Sequence, residues 1–245
     1  MILIIIYALL LGSFFNVVGL RVPLKQSVVK PRSACPGCGH TLKAIELIPV
    51  LSYLIQGGKC RHCKMRVSPL YPIMELFTAL LFVFAYWKIG WSLELIFAWT
   101  LISLFIIIFI TDITYMLIPD RILLYFLSIF LIERINMPLN PWWDSLLGAA
   151  IGFTLLLMIA VISKGGMGGG DIKLFGVIGF ALGSKLVLLS FFAASVFGGL
   201  FGIIGMAFGR YKKGESIPFG PFIGIGTLVV YFYHQNILDW YFSFL

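Results

Sequence analysis

Two aspartates and four cysteines are the residues whose types and spacing could do chemistry. Asp112 closes the apolar run Leu104 to Ile110. Asp171 follows Gly165-Gly166-Met167-Gly168-Gly169-Gly170 and opens another apolar run. Two carboxylates that approach each other share a proton, because both cannot readily be ionised. One can then deprotonate a water while the other donates to a carbonyl oxygen, which is peptide hydrolysis without a covalent enzyme intermediate. The glycine run lets backbones pack closely and adopt conformations closed to other residues, so an extended substrate chain could approach Asp171. Taken singly, Asp171 is also a good helix N-cap, and Asp112 and Asp120 could be caps at a membrane interface. The pairing of Asp112 and Asp171, at similar depth on one side of the membrane, is what points to catalysis.

The cysteines form Cys35-Pro-Gly-Cys38 and Cys60-Arg-His-Cys63, two Cys-x-x-Cys pairs separated by 21 residues. This spacing resembles a zinc ribbon with four thiolate ligands, since a two-residue gap lets both sulfurs of a knuckle reach one tetrahedral ion. Gly37, Gly39, Gly57 and Gly58 suit the tight turns around it. A closed four-cysteine site has no open coordination position, so its expected role is structural. Metal binding would supply much of the folding energy of so small a segment. His40 and His62 adjoin ligand cysteines and are read as neighbours rather than ligands.

These residues must be positioned by membrane helices. The chain has 245 residues, is 60% hydrophobic and 11% charged, with mean hydropathy +1.03. Soluble domains carry about 25% charged residues, so there is too little polar surface here for a water-soluble globule. Apolar runs of roughly 20 residues span a bilayer as helices, and the alternation of a membrane β-barrel is missing. The expected fold is all-α and integral to the membrane, with about eight transmembrane helices at about 2–20, 72–88, 93–112, 121–135, 145–163, 171–183, 186–209 and 219–238. Three parts follow: a first transmembrane helix over 1–20, a cytoplasmic four-cysteine insert over 21–70, and a seven-helix membrane core over 71–245. Residues 1–11 are almost wholly apolar and the first charges come after them, at Arg21 and Lys25, as in a retained helix rather than a cleaved signal.

The net charge of +8 could suggest nucleic acid, but its distribution argues for topology. Arg21, Lys25, Lys30, Arg32, Lys43, Lys59, Arg61, Lys64 and Arg66 all fall in the insert. With that loop in the cytoplasm, Arg121, Lys164, Lys173, Arg210, Lys212 and Lys213 join them. Only Lys88, Arg134 and Lys185 then lie outside. This is a strong positive-inside bias, and it puts both termini outside and the cysteines where disulfides are rare. Trp87, Trp91, Trp142, Trp143 and Trp240 fall near the outer surface, as an aromatic belt would. The insert can also rest on anionic lipid headgroups. Glu94, Glu133, Asp144 and Asp239 lie at the outer surface and need no special role. Glu46, Glu75, Asp112, Asp120, Asp171 and Glu215 face the cytoplasmic side.

The motifs resemble those of the prepilin peptidases, the type IV leader peptidases. Gly166-Met167-Gly168-Gly169-Gly170-Asp171 with Lys173 is similar to the family's glycine-x-glycine-aspartate motif, and Asp112 with Ile118-Pro119-Asp120 to its first catalytic motif. Gly12-Ser13-Phe14-Phe15-Asn16-Val17, the paired-cysteine insert, Glu46-Leu47-Ile48-Pro49 with Leu51-Ser52-Tyr53, Tyr71-Pro72 with Glu75, and Pro218-Phe219-Gly220-Pro221 match further blocks. The likeness runs along nearly the whole chain, and the insert is most similar to Gram-positive, competence-type members. Leu47 stands where many members have asparagine. The resemblance implies an aspartic endopeptidase with Asp112 and Asp171 as catalytic residues. Its substrates would be precursors of type IV pilins or pseudopilins, cut after a glycine between a short basic leader and an apolar helix. The enzyme would lie in the cell membrane with its active site facing the cytoplasm, and nucleic acid would have no part. The resemblance also implies zinc on Cys35, Cys38, Cys60 and Cys63. It implies N-methylation of the new N-terminus with S-adenosylmethionine, Glu46 belonging to the block tied to that activity.

Two other readings compete. Membrane carboxylates and a helix broken at glycines also occur in ion-coupled transporters and channels, which would carry ions and cut nothing. A zinc-stabilised membrane scaffold would tolerate loss of the aspartates but not of the cysteines. Arg121, Lys173 and Glu215 could tune the site or contact the leader, or be ordinary cytoplasmic-face charges.

Overall fold

A computed structural model describes residues 1–164, 166–209 and 217–243, the side chains of Tyr241 and Phe242 excepted. Glu215 and most of the basic loop at 210–217 therefore lie outside the described residues, as does Gly165. The described residues are helical wherever the sequence reads apolar. The helices are α1 (Ile2–Arg21), a 3-10 turn at Ala44–Leu47, the short α2 (Leu51–Ile55), α3 (Leu70–Ile89), α4 (Leu93–Tyr115), α5 (Asp120–Asn136), α6 (Asp144–Ile162), α7 (Gly169–Leu182), α8 (Ser184–Ala207) and α9 (Gly220–Phe242).

Each of the eight anticipated spans falls on one helix. Five of them, α1, α3, α4, α6 and α8, are long and apolar enough to cross a membrane. α7 has 14 residues, which cover about 21 Å at 1.5 Å per residue, less than a typical hydrocarbon core of about 30 Å. Large apolar side chains stand exposed along these helices, among them Leu3 and Tyr7 on α1, Val161 on α6 and Phe192 on α8. Water does not tolerate so many, and lipid does.

The chain divides into two compact units, Met1–Ile110 and Thr111–Leu245. In the first, α1 packs along α3. A Cβ at Gly12 would sit 2.9 Å from the Glu75 Cα and 3.1 Å from Thr78, so only glycine lets the two backbones come so close. Trp99 Nε1 donates to the Phe82 carbonyl at 3.1 Å and its ring stacks on Phe82, tying α3 to α4.

In the second unit, α6 and α7 meet backbone to backbone. Gly148 and Gly152 on α6 face Gly179 and Phe175 on α7. A Cβ at Gly152 would lie 3.0 Å from the Phe175 carbonyl carbon, and one at Gly148 would lie 2.6 Å from that of Gly183. The α7–α8 elbow turns at Gly183, φ 83°, a left-handed conformation open to glycine. Two side chains hold it. Arg134 of α5 donates through Nε (2.7 Å) and Nη2 to the Ala181 carbonyl at the end of α7. Asp144 accepts from the Ser184 hydroxyl (2.5 Å) and backbone N–H (3.2 Å) at the start of α8. Asp144 thus caps a helix from a neighbouring one, a role its expected place at the outer surface did not reveal.

Candidate active site, metal centre and cavity

Asp112 and Asp171 come from different helices of the second unit and are brought together, close enough for the charge of Asp112 to act on Asp171. Asp112 lies on the last turns of α4 and is 6% exposed. Its Oδ2 accepts the Gly220 backbone N–H at 2.7 Å. That N–H is one of the free donors at the start of α9, so Pro218-Phe219-Gly220-Pro221 serves to present an N–H to a carboxylate. Asp171 stands in the first turn of α7, its carboxylate beside Gly168.

The glycine run differs in detail from expectation. α7 begins at Gly169, so the last two glycines are already helical, and none of Gly166, Gly168, Gly169 and Gly170 has a positive φ. Space, rather than backbone freedom, is what these glycines supply. A Cβ at Gly170 would lie 2.8 Å from the Ile118 Cβ, so the first turn of α7 seats directly on the Ile118-Pro119-Asp120 motif. Beside Gly169 nothing lies within 4 Å of the Cβ position, which leaves the approach to Asp171 open. Lys173, one turn of helix on from Gly169, bonds both carboxylate oxygens of Asp120 at 2.8 Å. This exposed ion pair links α5 to α7. Arg121 is exposed.

The four cysteines form a second cluster, in the first unit. One sulfur atom from each of Cys35, Cys38, Cys60 and Cys63 lies within 4.8 Å of the others. The closest pairs are Cys35–Cys63 at 3.6 Å and Cys38–Cys60 at 4.0 Å. Ligands of a tetrahedral ion at Zn–S distances of about 2.3 Å stand about 3.8 Å apart, so the set fits a metal. Each knuckle is closed by its own bridge, Ala34 with Thr41 and Lys59 with Arg66. Each turns through a left-handed residue after its second cysteine, Gly39 (φ 70°) and Lys64 (φ 60°). The backbone N–H groups of Cys38 and Gly37 lower the Cys35 pKa to about 6. Cys63, despite the Met65 N–H that favours its thiolate, is pushed up to about 11 by burial and by the other sulfurs. Four sulfurs this close cannot all ionise unless a cation stands among them. His40 and His62 lie with ring centroids 3.9 Å apart, tilted by 32°, beside the ligand set and not within it.

Glu46 sits in the 3-10 turn. Its carboxylate accepts the Lys43 N–H at 2.9 Å and lies 3.5 Å from His40 Nε2. The Lys43 N–H first, and then His40, hold its pKa below the usual carboxylate value. It also lines a cavity of about 520 Å³ together with Ser13, Asn16, Tyr53 and Glu75. The sequence reading noted Asn16 and Glu75 only as parts of motifs and assigned them no chemistry. Their signal was a pair of polar residues within apolar helices, which membranes disfavour unless they have work to do.

Comparison with known proteins places the chain in a family. Residues 6–89 match the Bacterial Peptidase A24 N-terminal domain and residues 99–203 the Type IV leader peptidase family. The chain is 48% identical over 236 residues to a prepilin leader peptidase/N-methyltransferase of Bacillus subtilis, covering 96% of this chain and 95% of that one. Proteins of the same description from Pseudomonas aeruginosa and Aeromonas salmonicida are 33% and 31% identical. Each alignment covers 98% of this chain, and 92% and 93% of the respective relative. No solved structure matches. Nothing in these likenesses supports the transporter reading.

Proposed function

Because the chain belongs to the type IV leader peptidase family, we propose that it is a membrane aspartic endopeptidase for prepilins or pseudopilins. It removes the short basic leader after a glycine and then N-methylates the new N-terminus with S-adenosylmethionine. The observation that carries the first activity is that the charge of Asp112, which accepts the Gly220 N–H at the start of α9, reaches Asp171 in the first turn of α7. Sharing one proton, the pair polarises water and carbonyl together. One carboxylate takes a proton from water as the water oxygen attacks the scissile carbon, and the other gives its proton to the carbonyl oxygen. As the resulting diol collapses, one hydroxyl returns its proton to the ionised carboxylate, the C–N bond breaks, and the leaving nitrogen takes a proton from the carboxyl group that had received one. The open side of Gly169 lets the extended substrate backbone lie against the site.

We take eight helices as crossing the cell membrane, with the short α7 met by local thinning of the bilayer. The insert over 21–70 and the aspartate pair face the cytoplasm, as the basic residues of the insert favour. There a basic leader stays in water while its apolar helix lies in lipid. The metal on Cys35, Cys38, Cys60 and Cys63 is zinc, and its part is to hold the insert folded. The printed names of the relatives pair peptidase with N-methyltransferase, and Glu46 belongs with the second activity.

The test is incubation with a precursor pilin and S-adenosylmethionine, followed by mass measurement of the product. The wild type should yield a chain shorter by the leader and heavier by one methyl group. Asp112→Asn and Asp171→Asn should each leave the precursor whole in properly inserted protein. Near-normal cutting by either would sink the assignment.

A further inference from the structure

The cavity of about 520 Å³ in the first unit is larger than a structural gap needs and lies in the range of small-molecule sites. Its polar lining is unusual. Asn16 is 2% exposed, and its Nδ2 donates to the Tyr71 carbonyl at 3.1 Å. Its Oδ1 is buried with no hydrogen-bond partner among the described residues. An orphaned buried acceptor is costly and calls for a donor. Glu75 is 7% exposed and also lines the cavity. Its carboxylate accepts the Val50 N–H at 2.7 Å, and Ser13 lines the same cavity. Among the described residues no basic side chain pairs with it. The nearest candidate on α1, Arg21, is committed to the carbonyls of Ser27 and Pro31.

The backbone around these groups is held under strain. Leu51 N–H donates to the Pro49 carbonyl at 2.6 Å, closing a three-residue γ-turn on Val50 with φ 61° and ψ −53°. This form of γ-turn is rare, and a β-branched residue at positive φ is a true outlier. Such strain persists where the surroundings over-determine it, and it clusters at functional sites. Here the Glu75 carboxylate fixes the strained Val50 N–H. Gly12 in turn permits the close α1–α3 approach that sets Ser13 and Asn16 beside Glu75.

We propose that this cavity is the methyl-transfer chamber, in which Asn16 Oδ1 and the Glu75 carboxylate hold the α-ammonium of the trimmed, apolar peptide and Glu75 takes its proton. The inference rests on the N-methyltransferase half of the proposed function. An ammonium offers the donors that Asn16 lacks and the charge that Glu75 lacks. An ammonium is not a nucleophile, so methylation requires a base at this point. One N–H proton passes to the Glu75 carboxylate. The freed lone pair then attacks the sulfonium methyl of S-adenosylmethionine. An N–C bond forms, and the C–S bond breaks with its electron pair left on sulfur. The product is a secondary ammonium, and the proton on Glu75 leaves to solvent. Glu46, on the same cavity wall, remains for the donor molecule.

The test uses the full chain in detergent or vesicles and the near-isosteric Glu75→Gln, whose amide oxygen can still accept the Val50 N–H. Two readouts are taken. The first is the mass of the product from precursor pilin with S-adenosylmethionine. The second is equilibrium binding of an apolar peptide with a free α-ammonium, against the same peptide N-acetylated. The wild type should cut, methylate, and prefer the free amine by about tenfold or more. Glu75→Gln should cut at a rate within about threefold of wild type, methylate about 100-fold more slowly, and bind the two peptides alike. Continued cutting shows that the variant is folded. Methylation near the wild-type rate in Glu75→Gln, or a retained preference for the free amine, overturns the inference and leaves the proposed function standing. A wild type that cuts but never methylates overturns both the methyltransferase reading and this one.

Discussion

Gly179→Ala tests whether α6 sets the position of Asp171. A Cβ at Gly179 would lie 2.9 Å from the Ala149 nitrogen and nearer still to the Gly148 carbonyl. The overlap with that carbonyl, relative to ordinary contact, is about 1 Å or more. Both obstacles are backbone, so no rotamer change relieves them, and α7 must move away from α6. Overpacking of this kind costs about 1–3 kcal/mol. Asp171 rides on the same short helix two turns away, and a misplacement of about 1 Å in a reacting group costs about 100-fold in rate. Cleavage of precursor pilin by Gly179→Ala should therefore fall by about 100-fold in kcat, with a smaller change in KM. The internal control is Gly176→Ala on the same helix. Its Cβ would meet Phe153 at 3.6 Å, an ordinary contact, and alanine is the better helix former. That variant should cut within about twofold of wild type. Equal activity of the two variants would refute the claim that glycine contact between α6 and α7 aligns the aspartate pair.

Three further outcomes are expected. Breaking the exposed Asp120–Lys173 pair should be mild, since such pairs contribute about 0.2–1 kcal/mol. A double-mutant cycle on cleavage with Asp120→Asn and Lys173→Met should give a coupling in that range, and a coupling above about 3 kcal/mol would mean the pair is part of the chemistry. Removal of metal by a strong chelator, or Cys35→Ser, should release bound zinc and open residues 21–70 to protease while helix content stays near wild type. An insert equally resistant with and without metal would refute the structural role. Asp144→Ala removes a helix cap and should lower stability by about 0.5–2 kcal/mol, read as thermal unfolding in detergent, and an unchanged midpoint would show that the α7–α8 elbow holds without it.

The helices were legible because lipid imposes a simple rule: long apolar runs become helices, and each of the eight anticipated runs lies on one, five of them long and apolar enough to cross a membrane. The metal centre was legible because its ligand spacing is local, two residues within each knuckle. The aspartate pair was legible as two costly charges in apolar sequence beside family-like motifs. α6 also carries Gly148-x-x-x-Gly152, a small-residue pattern that marks close helix contact but was not singled out in the sequence. Its partner Gly179 lies on another helix, and no local signal joins the two.

For this protein, the sequence by itself determined the helical membrane class and the four-cysteine knuckles and singled out Asp112 and Asp171 as candidates, because hydropathy, ligand spacing and charge burial act over short stretches of chain. The tertiary structure alone decided what meets what. It showed that Gly170 is needed for room against Ile118, that Gly220 supplies an N–H to Asp112, and that Asp144 and Arg134 hold the elbow of α7 and α8. It also joined Asn16 and Glu75 around one cavity and tied Glu75 to the Val50 N–H. These contacts span tens of residues in sequence, and they depend on side-chain direction and helix separation at the scale of an ångström, to which composition and periodicity are blind.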